Sequence, residues 1–273
     1  MPIIGGDVPQ DSQAVNQQIV KIPNTTMQYS MTSLQDLATN ASDYTLGLIS
    51  CDVSPSVEQF RAEIELALKK TVKGCTHSPR VNNMLLRVTT FSRTVKELHG
   101  WKLMPNIAED DYTDSIKIGS STALYDAAHE GISVLGDTAA QMVKARFGVN
   151  GIAFFITDGE DVSSSRSVNE VRAAIQKIKQ DENLESLVTI LIGVVDENPK
   201  DQYEKRRADE VKKYLEQFQK DVGIDKFETI GNLTESNAAK LGGFISKSLS
   251  STAAARGTGG PSQAVVQSQN LVI

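Results

Sequence analysis

Five oxygen-bearing side chains stand in three short groups that are far apart in the sequence. Asp52, Ser54 and Ser56 occupy alternate positions of one segment, Thr122 follows a run of glycine and serine, and Asp158 opens an Asp-Gly turn. Carboxylates and hydroxyls are hard ligands, which suit Mg²⁺ or Mn²⁺ and suit Zn²⁺ poorly. Because only one or two of these groups are charged, a bound cation would keep part of its charge. The pattern therefore indicates a divalent-metal site that attracts an external anion.

Each group lies where a predicted strand ends or a predicted helix begins. The run 44–51 precedes Asp52, and the run 151–156 leads to Asp158; both runs are apolar at successive positions, as is typical of strands buried on two faces. Thr122 follows a long polar loop and starts a predicted helix. In open α/β sheets, ligands bind beyond the carboxyl ends of the strands. We therefore expect the three groups to converge at one edge of a sheet.

The apolar patterns alternate between strand and helix periods along the chain. Such alternation predicts an α/β fold with a Rossmann-like, doubly wound, mainly parallel central sheet and helices on both faces. Two neighbouring strands are close enough in sequence to form a hairpin, which adds one antiparallel edge strand. The predicted strands are 44–51, 83–91, 95–103, 151–156, 187–195 and 226–230. The predicted helices are 56–72, one from about 122, 169–179, 203–221 and 235–249.

The composition divides the chain into one large domain and two flanking segments. Residues 1–40 are polar with weak periodicity, which predicts an N-terminal arm containing one short helix or strand. Residues 41–250 carry the strand-helix alternation and form the predicted domain. Residues 251–273 are rich in Ser, Ala, Gly and Gln, a composition that is typical of a flexible C-terminal tail.

The charge balance narrows the classes of partner. The formal net charge is −6 and the sequence pI about 5.2, so the chain repels a phosphate backbone and nucleic acid is not an expected partner. The basic run 205–207 is followed by Asp209 and Glu210, which is typical of a solvated helix face. Residues 1–8 lack the features of a signal peptide, and no apolar run reaches the length of a membrane span. We therefore expect a cytoplasmic protein without a membrane partner.

The three groups together resemble the metal-ion-dependent adhesion site (MIDAS) of the von Willebrand factor A (VWA) domain family. Asp52, Ser54 and Ser56 match its Asp-x-Ser-x-Ser signature. Thr122 matches the threonine of its second loop in the setting Gly-x-x-Thr-x-Leu-Tyr-x-Ala, and Asp158 matches the aspartate of its third loop in the setting Thr-Asp-Gly. The resemblance covers roughly residues 43 to 250. Pro55 departs from the pattern by replacing the common glycine.

The resemblance implies a function as well as a fold. The three hydroxyls would ligate Mg²⁺ or Mn²⁺, while Asp52 and Asp158 would ligate it directly or through water. An acidic side chain of a protein partner would complete the coordination. Intracellular members of the family often act as adaptors or assembly components, so the resemblance implies a metal-dependent protein-interaction module that is not an enzyme. Glu160 and Asp161 add negative charge and would either bind metal-bound water or cap the following helix.

Three other interpretations use the same residues. Each group alone is also typical of ordinary structure: helix caps at Asp52, Ser54 and Thr122, and a turn at Asp158. A phosphatase of the haloacid dehalogenase type also has an aspartate after its first strand, but its chemistry needs a second aspartate where this chain has Ser54. In the third, the fold is the same and the metal site is non-functional or serves only stability.

The cysteines and histidines suggest no further site. Of the two cysteines, Cys51 ends an apolar run and is expected to be a reduced, half-buried thiol; a disulfide with Cys75 stays open. His77, His99 and His129 show no metal-binding spacing and are expected on the surface or in loops.

Overall fold

The computed structural model describes residues 17–37, 41–181, 183–196 and 199–255. The first part of the predicted arm and residues 256–273 of the predicted tail lie outside the described residues. The strands are β1 (Gln17–Lys21), β2 (Gln28–Thr32), β3 (Asp43–Asp52), β4 (Met84–Phe91), β5 (Val95–Leu103), β6 (Gly148–Thr157), β7 (Ser186–Val194) and β8 (Lys226–Ile230). The α-helices are α1 (Arg61–Cys75), α2 (Leu124–Lys144), α3 (Val168–Gln180), α4 (Gln202–Val222) and α5 (Glu235–Ala255).

The predicted α/β fold class is confirmed. The described strands form one eight-stranded sheet in the order β1-β2-β5-β4-β3-β6-β7-β8. Strands β4, β3, β6, β7 and β8 are mutually parallel, and β4 pairs with β5 in the predicted antiparallel hairpin. The crossover helices cover both faces, which explains why β3, β4 and β6 are buried over nearly their whole length.

The sheet continues beyond the predicted hairpin into residues assigned to the arm. Strand β2 lies parallel to β5, joined at Met31 and Trp101, and β1 pairs with β2 in an antiparallel hairpin. The two chains approach so closely at Gly100 that a Cβ atom there would lie 1.9 Å from the carbonyl oxygen of Ser30. Only glycine is compatible with that distance, so the position of β2 depends on Gly100.

Two apolar layers enclose the sheet. One face packs against α1 and α5, and the other against α2, α3 and α4. Helix α5 ends at Ala255, six residues beyond the predicted end at 249. Its buried side chains Ile245, Leu249 and Ala253 continue the four-residue spacing into the alanine-rich segment. The alanines therefore belong to a packed helix where the composition predicted the start of the tail.

The long loop between β5 and α2 is anchored to α1. Both carboxylate oxygens of Glu65 accept hydrogen bonds from this loop, from the backbone N–H groups of Asp114 at 3.2 Å and Ile116 at 3.1 Å. The side chains of Tyr112 and Ile116 are buried in the core below. The loop that leads to Thr122 therefore has a defined path. None of the helices in the described part of the chain has the length and hydropathy needed to cross a membrane.

Candidate metal centre

Asp52 is the last residue of β3, and its carboxylate is held on both sides. Oδ1 accepts a hydrogen bond of 2.8 Å from the backbone N–H of Ser54, and Oδ2 accepts one of 2.7 Å from the hydroxyl of Thr157. The first bond turns the chain away from the strand, as short polar side chains commonly do at strand-helix junctions. The second joins β3 to the neighbouring strand β6. Asp52 is only 2% exposed, so its orientation is set by these two donors.

A chain of hydrogen bonds continues from Ser54 to Asp158. The Ser56 hydroxyl donates to Oδ1 of Asp158 at 2.9 Å, and the Oγ atoms of Ser54 and Ser56 are 2.9 Å apart. Because the single Ser56 proton is used on Asp158, Ser54 must be the donor between the two serines. Pro55 sits at the first position of a 3-10 helix, Pro55–Phe60, for which Ser54 is the N-cap residue. The departure from the family pattern at Pro55 thus leaves both hydroxyls at the site.

Thr122 reaches the same edge from the loop before α2. Its carbonyl oxygen accepts hydrogen bonds from the backbone N–H groups of Val162 at 2.9 Å and Ser163 at 3.1 Å, so this loop is tied to the loop after β6. Its side chain lines a surface cavity of about 640 Å³ together with Ser56 and Asp158. The structure therefore brings all five predicted residues to one edge: four are linked by hydrogen bonds, and Thr122 shares their cavity. We call these five residues the oxygen cluster.

Burial raises the pKa of both carboxyl groups in the oxygen cluster. The pKa of Asp52 is raised to about 6, mainly by burial and also by the charge of Asp158, while the Thr157 hydrogen bond opposes the shift. Burial likewise raises the pKa of Asp158, against the hydrogen bond from Ser56 and the positive charge of Arg207. A buried carboxylate beside a half-buried one whose charge raises its pKa favours a nearby cation.

Asp161 stabilises the local structure through hydrogen bonds to neighbouring segments. Its Oδ1 accepts hydrogen bonds from the backbone N–H of Tyr125 at 3.3 Å and from the Ser164 hydroxyl at 2.5 Å. Its own N–H donates to the Tyr214 hydroxyl at 3.2 Å. Asp161 therefore caps the start of α2, which precedes it in the chain, whereas the cap expected from the sequence was on the following helix. Glu160 is exposed beside it and lines the same cavity as Thr122.

Sequence reasoning missed the residues that surround the oxygen cluster. Thr157 stands directly before Asp158 at the end of a strand, so its place in the Thr-Asp-Gly segment was an available signal. Arg206, Arg207 and Tyr203 of α4 line the cavity next to Asp158. The mixed charges around the two arginines indicated only a solvated helix face. Helix α4 lies at this edge because of the sheet topology, and the sequence of α4 alone does not predict that position.

One histidine prediction was wrong, and the thiol of Cys51 is more buried than predicted. His99 lies in β5 and is only 7% exposed. Its Nδ1 donates to the carbonyl oxygen of Gly100 at 2.8 Å, and its Nε2 accepts from the Tyr112 hydroxyl at 2.8 Å. Cys51 and Cys75 are free thiols, both fully buried. His99 lies within the strand predicted over 95–103, and it is enclosed because Tyr112 of the loop after β5 packs against its ring, with the ring centroids 5.8 Å apart.

The oxygen cluster differs from a carboxylate-rich metal site. Over the described ranges, no group of three or more His, Cys, Asp or Glu side chains is arranged to hold a metal ion. An ion at this edge would depend on the hydroxyls of Ser54, Ser56 and Thr122 as well as on two carboxylates. That set consists of oxygen atoms alone, which fits Mg²⁺ or Mn²⁺ in its chemistry.

Solved structures that match with TM-scores above 0.5 support the fold. A mutant of the PilB minor pilin from Streptococcus sanguinis is similar at TM-score 0.55 and 12% identity, over 81% of this chain and 64% of that one. The pilus adhesin SpaC from Lactobacillus rhamnosus GG is similar at TM-score 0.53 and 8% identity, over 82% of this chain and 31% of that one. The ArnB paralog VWA2 from Sulfolobus acidocaldarius matches at TM-score 0.42 and 17% identity, over 79% and 47% of the two chains.

Sequence comparison adds no relative: no protein-family model and no curated protein matches the chain. The chain spans less than two thirds of PilB and about a third of SpaC. At these identities the similarity shows the α/β fold alone.

Proposed function

We propose that this chain is a metal-dependent protein-interaction module. Asp52, Ser54, Ser56, Thr122 and Asp158 would hold one Mg²⁺ or Mn²⁺, and the ion would offer an open coordination position to an acidic side chain of a protein partner. The observation that carries the proposal is the hydrogen-bond chain from Ser54 through Ser56 to Asp158. It places oxygens of two separate loops within contact distance, as a shared cation requires.

The protein's own residues would prepare the site in two ways. Thr157 and the backbone of Ser54 fix the Asp52 carboxylate, so little rotamer freedom is lost when an ion binds. The hydrogen bonds between the two serine hydroxyls and from Ser56 to Asp158 already hold these three oxygen-bearing side chains together. A preorganised donor set of this kind favours binding because it lowers the entropy lost in ordering the ligands.

The similar structures favour an interaction role over a purely structural one. PilB is described as a pilin and SpaC as an adhesin, and both are pilus proteins. The cytoplasmic location stays a prediction from the sequence, and these two neighbours favour a cell-surface location as the alternative. Fractionation of the native host, with immunodetection of the chain, distinguishes the two locations.

The proposal includes that the chain is not an enzyme. In the competing phosphatase interpretation, Asp52 would attack phosphate as a nucleophile and an acid two residues later would assist. Ser54 stands there, and its N–H and hydroxyl are engaged with Asp52 and Ser56. We expect no turnover of an aryl phosphate in the presence of Mg²⁺. Turnover that the variant Asp52→Asn abolishes would favour the phosphatase.

Metal binding is testable by titration calorimetry with Mg²⁺ and Mn²⁺. We expect wild type to bind one ion and the double variant Ser54→Ala, Asp158→Ala to bind none. Asp209→Asn, which removes an exposed carboxylate elsewhere on α4, is the matched control and should bind like wild type. Affinity purification with wild type and the double variant then identifies the metal-dependent partners. Wild type that binds neither ion would refute the proposed function.

A further inference from the structure

Two large apolar side chains are exposed beside the oxygen cluster. The large hydrophobic side chains most exposed in the described part of the chain are Ile19 at 72%, Val162 at 71% and Tyr203 at 74%. Val162 and Tyr203 line the cavity that also contains Ser56, Thr122 and Asp158. Burying exposed apolar surface of this kind against a partner is favourable, because it removes that surface from water. A partner that covers this edge would therefore gain from both residues.

The exposed tyrosine stands on an ordered helix end. Asp201 is the N-cap residue of α4, and its carboxylate accepts hydrogen bonds of 2.8 Å from the backbone N–H groups of Tyr203 and Glu204. This cap stabilises the first turn of α4. Tyr203 is thus presented from a fixed backbone, and tyrosine is among the residue types that dominate binding energy at protein interfaces.

Two arginines bring positive charge to this edge of an acidic protein. Arg206 and Arg207 line the same cavity, and the charge of Arg207 is close enough to lower the pKa of Asp158. Arg206 pairs with Glu210 at 3.1 Å, but both side chains are exposed, at 80% and 61%, so this ion pair holds Arg206 only weakly. Glu160 and Glu210 line the cavity as well, but among the described residues only Arg206 forms an ion pair with one of them. With a divalent ion balanced by Asp52 and Asp158, Arg207 is therefore available to a second anion, and Arg206 can exchange its weak pair for one.

We propose that the partner segment which binds the oxygen cluster carries an apolar residue and a second acidic residue beside its metal-bound carboxylate. The apolar residue packs between Val162 and Tyr203, and the second carboxylate pairs with Arg206 and Arg207. Arginine guanidinium groups bind carboxylates with two parallel hydrogen bonds, which gives this contact direction as well as charge. The inference rests on the proposed function, because the first carboxylate needs the ion.

Peptide selection tests the inference while the natural partner is unidentified. A phage-displayed library of random heptapeptides is selected on the full chain in Mg²⁺, with elution by EDTA. We expect enriched peptides to carry two acidic residues separated by an apolar one. Peptides selected on the variant Arg206→Glu, Arg207→Glu should keep one acidic residue and carry a basic residue in place of the second. Lys205→Glu, on the same helix and outside the cavity, should select the wild-type pattern.

Direct binding then measures each contact. A synthetic peptide from the wild-type selection should bind Arg206→Glu, Arg207→Glu at least about fivefold more weakly. It should also bind Tyr203→Ser more weakly, and Lys205→Glu with wild-type affinity. Circular dichroism of each variant checks that the fold is retained.

The outcomes separate this inference from the proposed function. The selection could yield peptides that EDTA elutes but that carry a single acidic residue and bind the arginine and tyrosine variants as tightly as wild type. That result would overturn the inference and leave the metal-dependent function standing. The inference is also overturned, with the metal-dependent function left standing, if calorimetry detects Mg²⁺ binding but no peptide is enriched on the folded chain above its enrichment on the unfolded chain. If calorimetry detects no metal, the proposed function itself fails.

Discussion

The hydroxyl of Thr157 donates a 2.7 Å hydrogen bond to Oδ2 of Asp52 and thereby joins the ends of two parallel strands. The residues just before them, Cys51 and Ile156, are paired in the ladder between β3 and β6. The strand register therefore brings a hydroxyl donor beside a buried carboxylate. This bond stabilises the charged form of Asp52, since a hydroxyl donates more strongly to a carboxylate than to a carboxylic acid.

Replacing Thr157 with valine should weaken both the fold and the metal site. We expect the free energy of unfolding to fall by about 1.5–3 kcal/mol, because a buried charge loses a hydrogen bond. The pKa of Asp52 should rise above its value of about 6, so that more of it is protonated at neutral pH. Urea denaturation and NMR titration of the carboxyl carbon measure the two effects. Thr157→Ser keeps the donor and should stay near wild type; a valine variant with unchanged stability and pKa would contradict the role of the bond.

Asp158→Asn should separate metal binding from stability. Burial raises the pKa of Asp158 in the folded state, so its charged form costs stability at pH above its unfolded pKa. The neutral amide avoids that cost and keeps an acceptor for the Ser56 hydroxyl. We therefore expect metal-free stability at pH 7 to equal or exceed that of wild type. Added Mg²⁺ should raise the melting temperature of wild type but not of the variant, and a Mg²⁺-induced rise in both would argue against Asp158 at the site.

His99 should make stability pH-dependent below neutrality. Burial lowers its pKa from 6.5 to about 4, and the carbonyl oxygen of Gly100 and the charges of Lys102, Asp111 and Glu97 modify the shift. His99 of the unfolded chain binds a proton near pH 6.5, whereas His99 of the folded chain does not. The stability that neutral His99 contributes is therefore complete above pH 6.5 and is lost as the pH falls toward 4. The loss is about 3 kcal/mol. His99→Gln should lose correspondingly less than wild type between those pH values in urea denaturation. Equal losses in the two proteins would contradict this.

Gly100→Ala should loosen the added strands β1 and β2. A Cβ atom at this position would lie 1.9 Å from the carbonyl oxygen of Ser30, and relief of such overpacking typically costs about 1–3 kcal/mol. Limited proteolysis should then cut within 17–37 faster than in wild type. Gly243→Ala is the control, because a Cβ atom there meets no atom within 4 Å and alanine favours the helix. Equal cleavage of Gly100→Ala and wild type would show that β2 tolerates the displacement.

The sequence by itself determined the elements of the core and the candidate ligands. The strands from β3 to β8 and all five helices were predicted near their observed positions, because hydrophobic period is a local property that burial on a sheet face preserves. The convergence of Asp52, Ser56 and Asp158 also followed from local order, since parallel strands bring their carboxyl ends to one edge. Helix α5 was predicted too short, because an alanine-rich composition is compatible with both a packed helix and a loose tail.

Only the tertiary structure decided what surrounds those elements. The addition of β2 to β5 depends on a backbone approach at Gly100, which no periodicity encodes. The burial of His99 and the place of Arg207 beside Asp158 depend on which element packs over which. Local pattern specifies how a segment folds and which side is apolar, whereas contacts between distant segments follow from the topology of the whole sheet.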